Sequence, residues 1–149
     1  MSGGFSVALE KAHLLEEELE RAYEKARSME YEKEADWIDA ALNIDDVNEN
    51  TYKEIEALSP FGVGNPKPLF IFNQLVLSGV ETFGKDKGHL KLIFEKSNGE
   101  KLSAIGFFTS ADSFGRQLKA GEKVNLVANI EKSFFNNRAE LRLRIVDII

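Results

Sequence analysis

Cysteine is absent from the 149 residues, so neither a disulfide framework nor a cysteine-ligated metal site is available. That absence suits a reducing compartment, and a cytoplasmic location is expected. Histidine occurs twice, at His13 and His89, far apart and with no Asp-His cluster beside either. Asp45 and Asp46 are adjacent, but neighbouring side chains do not converge on one ion without further ligands. No nucleophile–base pair, metal cluster or phosphate loop is visible. No catalytic residue, metal ligand or cofactor is therefore assigned, and a self-contained enzyme is the disfavoured reading. No apolar run approaches the ~20 residues of a membrane-spanning helix, so no membrane partner is expected. The opening "MSGGFSVALEK" has no basic region followed by an apolar one and is not a secretory signal. Proline is scarce: all three lie between Leu58 and Phe70.

What is present is enough for a core. Apolar residues make up 43% of the chain, and the length suits one domain, or one domain with an appendage. The net charge of −6 hides an asymmetry. Residues 1–59 carry 6 Lys and Arg against 16 Asp and Glu (net −10), and residues 60–149 carry 13 against 9 (net +4). An anionic partner for the basic part is one reading of this change, and ordinary surface charge is the other. The change of composition places a domain boundary at 59/60: a helical connector segment over 1–59, then a binding domain over 60–149.

From about residue 6 to 33, Ala8, Ala12, Leu15, Leu19, Ala22, Ala26 and Met29 recur at steps of four and three, one stripe of a helix. The stripe is narrow and rich in alanine, so it needs a partner surface: this chain's own body, or another chain through weak self-association. Residues 35–46 alternate loosely, as a short strand does. "NENTYKEIEAL" reads as a second helix capped by Asn48 or Asn50, with Tyr52, Ile55 and Leu58 on its apolar face.

After Pro68 the period changes to two. Five strands are predicted, over about 69–82, 89–95, 101–108, 123–132 and 139–148, separated by turn signals at 84–88, 97–100 and 135–137. Between the third and fourth, Ser110 or Asp112 caps a short helix presenting Phe114 and Leu118, closed by Gly121. Three strands, a short helix and two strands is the order of the OB fold, a five-stranded, partly open barrel. Another small β-barrel is the rival. The expected class is thus mostly β with N-terminal helices (α+β): an OB barrel preceded by a long helix and a short strand–helix connector.

The run "LSPFGVGNPKPLF", too rich in proline and glycine for helix or central strand, resembles the segment leading into the OB domain of the RecJ family of bacterial single-strand-specific DNA exonucleases. Every fixed position of that family's pattern is present: Leu58, Pro60, Phe61, Gly62, Gly64, Asn65, Pro66, Pro68 and Phe70. "GHLKL" at 88–92, "AIGFF" at 104–108 and "LRIVDI" at 143–148 resemble strands of that domain, and "GGFSVALEK" the end of the DHH-associated domain. The family's exonuclease chemistry belongs to a DHH domain with two divalent metals, whose Asp and His motifs this sequence lacks. The resemblance therefore implies a C-terminal fragment, inactive alone, with Mn or Mg expected in the parent's catalytic domain. It implies that the long helix has lost its native partner. It also implies that Pro60, Phe61, Gly62, Gly64, Asn65, Pro66, Pro68 and Phe70 dock the barrel against the DHH and DHH-associated domains. A phosphate-cradling role for Gly62–Gly64 has weak support, because a lone GxG is common.

An OB barrel binds single strands across its second and third strands and between its 1–2 and 4–5 loops. Aromatic faces stack on bases and cations follow phosphates. The candidates in those places are Lys85, Lys87, His89 and Lys91 in and after the first loop, and Phe108 at the end of the third strand. Lys132, Phe134, Phe135 and Arg138 flank the 4–5 turn, and Arg142 and Arg144 share one face of the last strand. Each has a plainer reading: a solvated lysine, a hydrogen-bonded histidine, a solvated strand face. Three functions compete: a single-stranded-DNA-binding module of an exonuclease of repair and recombination, a protein-docking module that assembles that enzyme, and the disfavoured self-contained enzyme.

Overall fold

The computed structural model describes residues 8, 10, 14–28, 37–84, 87–115, 117–135 and 138–149. The chain divides into two compact units, Met1–Asp36 and Trp37–Ile149. In the first, the predicted helix is present as α1, Leu15–Ser28, opened by Glu16, Glu17 and Glu18 where the helix dipole favours carboxylates. Arg21 reaches back to Glu17 at 3.1 Å, one turn away. Leu19 and Tyr23 are exposed. The stripe residues Ala12 and Met29 lie outside the described residues, as do the side chains of Ala22 and Ala26.

The second unit is a closed barrel. Its strands are β2 (Phe70–Phe83), β3 (His89–Glu95), β4 (Lys101–Phe107), β5 (Lys123–Phe135) and β6 (Arg138–Ile148), preceded by the two-residue β1 (Ala40–Ala41). The sheet order is β1-β2-β3-β4-β6-β5, and β2 pairs again with β5 to close it. The β4–β6 pair is parallel, with Ala104 opposite Leu143 and Ile105 opposite Arg144, while the other barrel pairs are antiparallel. This is the OB arrangement, and the alternation predicted for β3 holds: Leu90, Leu92 and Phe94 are fully buried. Phe72, Leu77, Val124, Leu126 and Leu143 complete the centre of the core.

One strand must serve both halves of the barrel. β2 pairs with β5 over Phe70–Phe72 and again at Leu75 and Val76, with a register shift between Phe72 and Leu75, and with β3 from Leu77 onward. There Gln74 takes φ +53°, and its N–H donates to Asn125 Oδ1 at 2.9 Å. A bulge of this kind bends a strand and lets a sheet curl shut. The helix expected between β4 and β5 is a single 3-10 turn, Ala111–Phe114, ended by Gly115 at φ +65°. Leu118, just beyond, is buried in the core as predicted.

The boundary predicted at 59/60 does not coincide with the division at 36/37. Residues 39–58 pack on the barrel. β1 lies parallel to Phe70–Ile71, and Asp39 exchanges two hydrogen bonds with Leu69, each 2.8 Å. α2, Glu49–Glu56, is capped by Asn48, whose side chain accepts from Asn50 N–H at 2.9 Å and Thr51 N–H at 3.1 Å. Val47 and Ile55 from this segment enter the core. Charge composition changes at the proline run, but the core also draws Val47 and Ile55 from before it.

The proline run folds on itself. Gly62 and Asn65 exchange backbone hydrogen bonds of 2.8 and 3.1 Å, and Gly64 between them takes φ +83°. The Asn65 amide donates to the carbonyls of Leu58 and Pro60, both at 3.0 Å. The Ser59–Pro60 bond is cis. From β5, Asn129 donates to Pro68 O at 2.8 Å. Phe70 is buried in the core and Phe61 packs against it. Phe70, read as one of the docking residues, is buried and anchors the run to this barrel. Val63 stands fully exposed at the tip.

Candidate nucleic-acid interface

The register of three strands sets one row of side chains. Phe83 on β2 is opposite His89 on β3, and His89 is opposite Phe107 on β4. All three point away from the core. The His89 ring centroid lies 5.1 Å from Phe83, 5.2 Å from Phe107 and 5.0 Å from Phe108. Phe83 and Phe107 meet edge-on at 6.3 Å. Each such pair contributes about 0.5–1.5 kcal/mol beyond its buried area.

Two backbone features fix this cluster. Phe108 leaves β4 at φ +53°, a region bulky residues rarely occupy, and its N–H donates to His89 Nδ1 at 3.0 Å. Phe108 is 91% exposed. On the other side of the imidazole, Gly84 takes φ +93°, and a Cβ placed there would come within 2.7 Å of His89 Cδ2. Glycine is required at this point so that the chain can pass close to the histidine.

Beside the aromatic row runs a charged one. Arg144 lies over the Phe107 ring at 4.2 Å and Arg142 at 5.6 Å. Arg142 also holds Glu131, across the β5–β6 pair, at 2.6 Å, and Lys91 holds Glu81 at 3.1 Å. Among the described residues, no carboxylate pairs with Arg144. Lys91, Ile93, Ser103, Ile105, Ser133 and Arg142 line a shallow groove that continues along the same face.

The predicted residues divide accordingly. His89, Lys91, Phe108, Arg142 and Arg144 come together on one face. Lys87 is exposed at its edge, with φ +53° and its N–H on Gly84 O at 3.2 Å. Lys132 is turned away: it sits opposite Leu141 on the core-side face of β5, pairs with Glu49 at 2.8 Å and lies over Tyr52. Its binding role is corrected to fastening α2 to the β5–β6 hairpin. Phe134 is exposed but shares that second face. Lys85 lies outside the described residues, as do the side chains of Phe135 and Arg138. Phe83 and Phe107 were not among the assigned residues. Their signal was available, since Phe83 ends a strand one turn before His89 and Phe107 adjoins Phe108, but only register aligns them.

Among the described residues no three His, Asp or Glu side chains converge as a metal site. The described residues therefore offer no set that fits a divalent ion.

Comparison with known proteins agrees with the fold. The RecJ OB domain family matches residues 38–147. The single-stranded-DNA-specific exonuclease RecJ of Bacillus subtilis (strain 168) is 27% identical over 110 residues, 74% of this chain and 14% of the relative. That of Haemophilus influenzae is 35% identical over 72 residues, 48% of this chain and 12% of the relative. The match thus spans 14% and 12% of the length of these relatives. Among solved structures, RecJ in complex with Mn2+ from Thermus thermophilus matches with a TM-score of 0.49 at 19% identity, over 66% of this chain and 13% of that one. By the match over 38–147, the chain belongs to the RecJ OB domain family.

Proposed function

We propose that this barrel holds single-stranded DNA for a RecJ-type exonuclease of DNA repair and recombination, across the outer face of β3, β4 and β6. The observation that carries the reading is the Phe83–His89–Phe107–Phe108 cluster, with Phe108 pinned in an exposed position and Arg144 lying over Phe107. An unpaired base has a π-face to offer such a cluster, whereas a base inside a duplex does not. Stacking on an aromatic ring is worth roughly 1–3 kcal/mol per base. Hydrolysis, with its Mn or Mg, belongs on this reading to the catalytic domain of the larger enzyme, and this chain alone degrades no DNA.

A second reading, docking against the enzyme's other domains, has one observation in its favour. Trp37, Leu58 and Val63 are exposed apolar residues in and before the segment that leads into the barrel. The two readings are compatible, because the apolar residues and the aromatic cluster belong to different segments. Fluorescence anisotropy of a labelled oligonucleotide at low salt, single-stranded against duplex, tests the first. Single-strand preference lost on Phe108→Gly supports it, and equal binding of both forms removes it.

A further inference from the structure

The strand face carries Lys91, Lys101, Arg142 and Arg144 but does not leave them equally available. Lys91, Arg142 and Arg144 lie on adjacent strands facing the same way, since Lys91 is opposite Ile105 and Ile105 opposite Arg144. Lys91 is held by Glu81 and Arg142 by Glu131, each carboxylate projecting from a neighbouring strand of the same face. Arg144 is held only by the Phe107 ring among the described residues.

A carboxylate meets a guanidinium as a phosphate does, through oxygens matched to the N–H fork. Glu131 therefore stands where a phosphate oxygen would bind. A phosphate arriving at Arg142 has to displace a group tethered to the next strand, which is always present at high effective concentration. The aromatic cluster has no such competitor.

Resting on the proposed function, we infer that Glu131, seconded by Glu81, is a specificity-determining residue: it suppresses binding through phosphates alone and so makes the barrel select for exposed bases. A duplex offers this face phosphates but no free base, and gains little. A single strand offers bases to Phe108 and Phe107 and is held by stacking, with Arg144 beside the aromatic cluster, and Lys101 at the far end of the face, lacking a carboxylate partner among the described residues. The two carboxylates lower total affinity and raise the ratio of single-strand to duplex binding.

The test uses a fluorescein-labelled oligothymidylate of about 12 nucleotides, within the roughly 4–16 one such barrel covers, and a labelled duplex of equal length. Affinity is measured against salt concentration for the wild-type chain, Glu131→Gln, Glu81→Gln and Phe108→Gly. Freeing Arg142 adds one phosphate contact, so the Glu131→Gln salt slope steepens by about 0.7 for the single strand and about 0.9 for the duplex. Between 50 and 200 mM salt that is about 2.6-fold more affinity lost on the single strand than by wild type. Duplex affinity at low salt rises more than single-strand affinity, and the selectivity ratio falls. Glu81→Gln does the same at Lys91, so a folding defect in one variant leaves the other to decide. Unchanged slopes and an unchanged ratio, in a protein whose single-strand affinity Phe108→Gly weakens, overturn this inference and leave the proposed function standing. A wild-type affinity that Phe108→Gly does not alter, or no binding of either probe, removes the face as a strand site and both readings with it.

Discussion

The N–H of Phe108 donates to Nδ1 of His89 at 3.0 Å, and the two rings meet edge-on with centroids 5.0 Å apart. One hydrogen bond thus holds an exposed phenyl ring out from a strand end in a left-handed backbone conformation. Such a conformation costs a bulky residue about 1 kcal/mol, and persists where the surroundings enforce it. Binding and stability therefore separate at this position. Phe108→Gly relieves the backbone while losing one ring contact, so the melting temperature should stay within a few degrees of wild type. Single-strand affinity should fall about tenfold, the loss of roughly one stacked base. Thermal denaturation and anisotropy on the same sample check both. A matched loss of stability and binding would make Phe108 a structural residue.

Gly84→Ala attacks the same cluster from the other side. The new methyl would meet His89 Cδ2 at 2.7 Å, and φ +93° strains any L side chain. The expected destabilisation is about 1–2 kcal/mol, with the His89 ring displaced. Urea denaturation measures the first. The NMR shifts of the His89 ring protons, which Phe83, Phe107 and Phe108 now surround, report the second.

Lys96 fastens the connector to the barrel. It is only 8% exposed, and its ammonium donates to Val47 O at 2.8 Å and to Glu100 Oε2 at 3.0 Å. Lys96→Met keeps the stem but strands the Val47 carbonyl without its donor. An unsatisfied buried acceptor costs about 1–3 kcal/mol. The expected result is a loss of that size in urea, with amide exchange accelerated over 43–48 more than in β3.

Acid should loosen the same junction first. Asp45 is held below the ordinary carboxylate range chiefly by the Ser97 hydroxyl and then by the Ser97 N–H, which it accepts at 2.6 and 2.8 Å. Glu100 is lowered by the hydrogen bond and charge of Lys96. Both folded values lie below the unfolded ones. Their contribution is therefore fully present above the ordinary carboxylate range and is lost as pH falls through the lowered values. Both groups are exposed, so the effect is small and local. Melting temperature followed from about pH 6 to pH 3 should fall less steeply in Asp45→Asn than in wild type over the acid part of the range. Parallel curves would show that the Ser97 bonds do not couple to folding.

Period-two alternation was enough to place β3 and the shared face of Arg142 and Arg144, because a strand buried on one side repeats its apolar residues visibly. Asn48 was legible as a cap for a similar local reason. What distinguished Lys132 from Lys91 was not local. Lys132 meets Glu49, 83 residues away, and nothing near it in sequence signals that partner. The aromatic row needed three strands in register, and sequence patterns specify faces more readily than register. The difference between the boundary read at 59/60 and the division at 36/37 has a related reason: charge composition reports the surface of a segment, whereas Val47 and Ile55 are two isolated apolar residues of an acidic stretch that enter the core.

That last point gives the truncation experiment its two arms. Removing residues 1–36 leaves the unit Trp37–Ile149, which contains every member of the barrel's core cluster. Its melting temperature and its urea midpoint should match those of the whole chain to within a few degrees and a few tenths molar. Removing residues 1–59 deletes Val47 and Ile55, each worth about 1.5–3 kcal/mol of buried side chain. It also unpairs Lys96 from Val47 and Lys132 from Glu49. A loss of about 5 kcal/mol or more approaches the whole stability of a small domain, so the chain from Pro60 should be largely unfolded. Far-ultraviolet circular dichroism and amide exchange decide it. A well-folded 60–149 would return the boundary to the proline run and make the connector an accessory to the barrel, not part of its core.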